Sequence, residues 1–163
     1  MYFAFPVFDN GEGIGSINLT NKLMNLYNIS EFDVSNVTEK NMLEDVYIKP
    51  LTSVLCEMMG SDELPFETCE DERVVYVISN HQKCNGAAEF LTPYVIDYLY
   101  DKFGGDYVIL PASIHEVLAM SAHNVNFDDL REMVKSVNDT VVDPVEILSN
   151  EVYLHTDGGY QIA

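Results

Sequence analysis

The extended runs of this chain arrive in neighbouring pairs, and that ordering does most to limit its fold. "YFAFPVF" and "SINLT" flank the turn residues "DNGEGIG", "DYVILPAS" leads into "IHEVLAM", and "EVYLHT" and "YQI" flank "DGG". Strands joined by a few residues run antiparallel, because a parallel return needs a crossover of about a dozen residues or more. At 163 residues the chain is long enough for one domain with a substantial core. We therefore expect a single α+β domain over residues 1–163, a mostly antiparallel sheet with helices packed on it. Pro6 marks the first strand as an edge, since proline cannot donate to a ladder.

Helices fill the intervals. Thr20 caps "NKLMNLYN", and Ser30 opens "EFDVSNVTEKNML", where Phe32, Val37 and Leu43 follow helical spacing. Pro50 opens "LTSVLCEMM", with Leu51, Val54, Leu55 and Met58 on one face and Gly60 as its stop. "RVVYVIS" reads as a buried strand. "NGAAEFLTPYVIDYLYDKFGG" reads as a helix that begins or kinks at Thr92–Pro93, with Leu91, Val95, Tyr98 and Leu99 as its buried stripe and Gly104 as C-cap. "NFDDLREMVKSVN" is the cleanest helix, capped by Asn126, with Phe127, Leu130, Met133, Val134 and Val137 recurring at three and four.

Charge narrows the function. Twenty-seven acids face eight bases, a net −19. Such a surface repels phosphate backbones, which disfavours direct nucleic-acid binding and favours a basic protein partner. Between Pro50 and Glu72 there is no Lys or Arg, while Glu57, Asp62, Glu63, Glu67, Glu70, Asp71 and Glu72 all occur. That segment is our candidate binding face; the plainer alternative is a solvated loop. No apolar run approaches the roughly 20 residues that span a bilayer, and the start lacks a basic n-region, so we expect a soluble, cytoplasmic protein with no membrane contact.

Cys56, Cys69 and Cys84 are odd in number and show no C-x-x-C spacing, which speaks against a disulfide framework. Together with His81 they are too scattered for an ordinary structural zinc site. Asp139, Asp143 and Glu146 are sparser than a calcium loop. The glycines of "DNGEGIGS" are not followed by a helix, as a phosphate fingerprint requires. Asn85 reads as a plain N-cap. We expect neither metal nor cofactor.

The remaining chemistry sits in "LPASIHEV". In extended backbone Ser113 and His115 share one face and Glu116 takes the other, so His115 could serve as base to Ser113 or act with Glu116. No third group to orient the imidazole is evident, and neither G-x-S-x-G nor H-E-x-x-H occurs. The competing reading is a turn in which Ser113 satisfies backbone groups and His115 bonds a nearby carbonyl.

"NGAAEFLTP", "DYVILPASIHEVL" and "MVKSVNDTVVDPVEILSNEVY", taken together, resemble a bacterial domain-of-unknown-function family found in gut-associated species, whose members carry "ILPSSIHEV" where this chain has "ILPASIHEV" at residues 109–117. The resemblance runs from about Val74 to Tyr153 and more weakly from Ser16 to Gly60. Ala112 replaces the family's usual serine, which counts against a role needing two hydroxyls. Members usually carry a longer N-terminal extension, so we expect a reduced version or an excised domain. The resemblance implies no activity.

Three functions fit. The first is a protein-binding or regulatory module docking a basic partner. The second is an acidic mimic of nucleic acid, of phage or mobile-element origin, that inhibits a host or defence protein. The third is a hydrolase using His115 with Ser113 or Glu116. The incomplete catalytic set and the charge place the binding module first.

Overall fold

The computed structural model describes residues 3–9, 14–60 and 74–163, with side chains from residue 17 onward. The chain forms two compact units, Met1–Asn41 and Met42–Ala163.

In the first unit, β1 (Phe3–Asp9) pairs antiparallel with β2 (Ile14–Leu19). The register shifts between Pro6 and Phe8, a bulge beside a residue that has no N–H to give the ladder. Helix α1 (Asn21–Tyr27) starts on Thr20, whose hydroxyl oxygen accepts the Leu23 N–H. Helix α2 (Glu31–Asp45), which runs on into the second unit, opens with a reciprocal cap. The Asp33 N–H donates to Ser30 Oγ, and the Ser30 N–H and O–H both donate to Asp33. Contrary to the spacing of Phe32, Val37 and Leu43, α2 buries no residue.

The second unit is a six-stranded sheet, every neighbouring pair antiparallel, in the order β3-β4-β6-β5-β7-β8. Strand β3 (Val46–Pro50) directly follows α2 and forms one edge, leading into α3 (Leu51–Met59). Pro50 ends the edge strand and stands at the N-cap of α3, both places where a missing N–H costs nothing. Strand β4 (Tyr76–Asn80) leads through a short 3-10 helix, Gly86–Leu91, to α4 (Pro93–Phe103). Strands β5 (Tyr107–Pro111) and β6 (Val117–Ser121), α5 (Phe127–Thr140) and the hairpin β7 (Tyr153–Thr156) and β8 (Gly159–Ile162) complete it. The paired runs thus give the expected α+β architecture.

Both faces of this sheet are covered. Tyr107 and Ile109 of β5 join Ile78, Ala87, Val95 and Leu99 in one core, on the side of the 3-10 helix and α4. Val108 and Leu110 point the other way, into a core with Leu130 and Val134 of α5 and Val152. A smaller cluster of Tyr47, Val54 and Val77 places α3 beside that second core, the two sharing Leu118. Two covered faces explain why "YVILP" is apolar throughout and not alternating.

The long helix read across residues 85–104 is broken at Thr92, whose hydroxyl oxygen accepts the Val95 N–H while its own O–H donates to the Glu89 carbonyl. The break changes the helical phase, so Leu91 lies 41 % exposed and not in the buried stripe, while Val95 and Leu99 are fully buried. Met58 on α3 and Met133 and Val137 on α5 are likewise exposed.

Candidate functional site

The turn of "LPASIHEV" spans residues 112–116, between paired strands β5 and β6. Ser113, His115 and Glu116 all lie in it, so the alternation of faces read from extended backbone does not apply. The Ser113 N–H donates to the Glu116 carbonyl at 3.1 Å, and Ser113 Oγ accepts the His115 N–H at 3.0 Å. Ser113 therefore closes its own turn.

Three neighbouring segments hold the turn. Ser79, at the end of β4, donates its hydroxyl to the His115 carbonyl at 2.8 Å. The Ala87 N–H of the 3-10 helix donates to the Ile114 carbonyl, and the Ile114 N–H donates to the Glu146 carbonyl. The His115 ring is engaged at both nitrogens. Its Nδ1 accepts the Asn85 N–H at 3.0 Å, and its Nε2 lies 3.3 Å from the Glu146 carboxylate. An accepting Nδ1 assigns the neutral ring's proton to Nε2, facing Glu146.

This wiring corrects two sequence expectations. His115 bonds a backbone N–H and a carboxylate, not a carbonyl. Asn85 is no side-chain cap: it stands in left-handed backbone (φ 53°) and contributes its N–H to the imidazole. A general base needs a free lone pair within reach of its nucleophile, and His115 has none to offer Ser113. The structure brings the three candidates into one turn without making a relay of them. Replacing His115 with alanine is expected to lower stability by about 1 kcal/mol, because the turn loses the imidazole's hydrogen bond to the Asn85 N–H and its contact with Glu146, both in partly exposed surroundings; chemical denaturation checks this.

Of the acidic segment, Asp62, Glu63, Glu67, Glu70, Asp71 and Glu72 lie outside the described residues. Glu57 is exposed on α3 and is ion-paired with Lys49, which holds its carboxyl below the usual range. Cys56 and Cys84 are free, partly buried thiols, and Cys69 also lies outside the described residues. His81 Nδ1 sits 2.8 Å from the Asp45 carbonyl oxygen. Among the described residues, no three His, Cys, Asp or Glu side chains come together to hold a metal ion.

Among the buried polar residues that sequence reasoning passes over are Glu89 and His155. Glu89 of the 3-10 helix is 4 % exposed and its Oε2 has no hydrogen-bond partner. Burial, with a smaller contribution from the Asp45 charge, pushes its carboxyl up to about 7. His155 stands across the ladder from Tyr107 on one side and Tyr160 on the other. Its ring stacks on Tyr107 at 4.7 Å and meets Tyr160 edge-on at 4.7 Å. Burial holds its imidazole below the usual histidine value. The Tyr107 and Tyr160 hydroxyls bond each other at 2.8 Å, and Tyr160 donates on to the Phe90 carbonyl. Of the two, Glu89 combines burial, an unpaired oxygen and a proton held near neutrality.

A continuous antiparallel six-stranded layer, helices on both of its faces and a braced turn at residues 112–116 define an acidic α+β protein. The chain belongs to the family of unknown function DUF5688, whose model matches residues 1–156. No curated protein and no solved structure matches it. No helix among the described residues is long and apolar enough to cross a membrane.

Proposed function

We propose that this protein is a binding module that docks a basic protein partner. One observation carries the reading: a net charge of −19 on a chain whose described part is a folded scaffold. Eight bases cannot neutralise twenty-seven acids however they pair, and most acids among the described residues are exposed. Glu89 is the only acid among the described residues that is buried. Surplus surface charge costs the compact state self-repulsion, which a basic partner relieves. Charge of this kind accelerates encounter with opposite charge and rejects like charge. The commitment of His115 and Ser113 to the turn supports binding over hydrolysis.

Capture from lysate of the host on immobilised protein, washed at low and at high salt, tests the reading. We expect a stoichiometric basic protein that high salt releases. A bead that holds nothing at either salt would overturn it.

A further inference from the structure

We propose that the outer flank of α5 and the turn after it form the docking surface, and that its occupant is a basic amphipathic segment of another protein; this rests on the module reading above. Helix α5 buries Leu130, Val134 and Asn138 against the sheet. Met133 and Val137 fall beside that buried face but stand in solvent, Met133 at 55 %. The apolar run continues past the helix end through Val141, 77 % exposed, and Val145, 81 % exposed. Single exposed apolar residues are ordinary, but two a turn apart on α5, followed by two more in the segment just past its end, are not.

The charges around this row select the occupant. At 3.6 residues per turn, Asp129 lies next to Met133 on its solvent side, with Glu132 and Asp139 beyond it. Arg131 and Lys135, the two bases of α5, fall past those acids, on the flank away from the row. Arg131 is further tied to Asp128 and to the Ala163 carbonyl. Asp143 follows in the turn. An apolar stripe with the Asp129 carboxylate beside its first turn and Asp143 in the turn that follows fits a segment that presents apolar anchors flanked by Lys or Arg. A second copy of this chain fits badly, because it would bring its own −19 against the same acids.

The test uses the full chain, isotope-labelled for NMR and titrated with two synthetic peptides: an amphipathic helix of leucine and lysine, and a lysine-serine peptide of equal charge. We expect the leucine-lysine peptide to shift resonances along residues 129–145 and to keep part of its affinity at high salt. Met133→Asp and Val141→Asp should each weaken it by about tenfold or more, with melting temperatures unchanged because both positions are exposed. Equal binding of the lysine-serine peptide, or shifts confined to other surfaces, would overturn the α5 assignment and leave the acidic-module reading standing. No binding of either peptide at low salt would overturn both. Concentration-dependent broadening of α5 resonances without peptide would identify a second copy as occupant and also overturn the assignment.

Discussion

Gly86→Ala is expected to destabilise the protein by about 3 kcal/mol or more, the upper range for forcing an atom into a filled site. A Cβ on Gly86 would sit 2.4 Å from the Asn80 nitrogen, 2.5 Å from Ser79 Oγ and 2.9 Å from the His115 carbonyl oxygen. Two of those atoms are backbone, fixed by the β4 strand and the turn at residues 112–116, so neither can step aside alone. The third is the hydroxyl that ties the turn to β4. Urea unfolding followed by circular dichroism measures the loss, with Ala88→Gly as control, since Ala88 is exposed in the same short helix. Adding Ser79→Ala should restore little, because both backbone contacts remain. A Gly86→Ala protein as stable as the parent would mean that β4 and the turn do not meet in this way, and the structural reading of His115 would fall with it.

The same junction shows why some of this molecule is legible in sequence and some is not. Hairpins announce themselves locally: "LPAS" and "DGG" carry their own turn chemistry, and the strands on either side are the nearest partners for each other. Caps are equally local, and Thr20, Ser30, Thr92 and Asn126 all accept the N–H bonds their residue types imply. Strand β3 is hidden because its five residues follow a helix without a break and pair with β4, distant in sequence. Periodicity tells which residues share a helix face but not whether anything covers it, so Phe32 and Val37 on α2 and Met133 on α5 keep helical spacing in solvent. The His115 partners are out of reach for a related reason. Asn85 and Glu146 arrive from opposite sides in sequence, and neither is marked by its neighbours. Nor does "GAAEFL" betray a buried glutamate, since only the tighter 3-10 turn directs Glu89 inward.

Glu89 leads to the second large effect. Its carboxyl titrates near 7 in the fold against a usual value of 4.5, so the folded protein holds a proton that the unfolded chain has released. Between those two values the native state binds more protons than the unfolded state, and stability must fall as pH rises. Below pH 4.5 both forms are protonated and nothing is lost. By pH 8 the full difference is felt, on the order of 3 kcal/mol, since each tenfold difference in proton affinity between the two states is worth about 1.4 kcal/mol. Glu89→Gln keeps the shape and removes the ionisation. The variant should therefore match the parent near pH 4.5 and exceed it by about 2–3 kcal/mol at pH 8, with the steepest divergence between pH 5 and 7. Urea unfolding of both proteins across that range measures it. Parallel stability curves would show that Glu89 is ionised at no cost, with a cation or water completing its unpaired oxygen. Diverging curves would show a carboxylic acid kept neutral inside a protein otherwise covered in carboxylates. In that case the one acid buried among the described residues is buried uncharged.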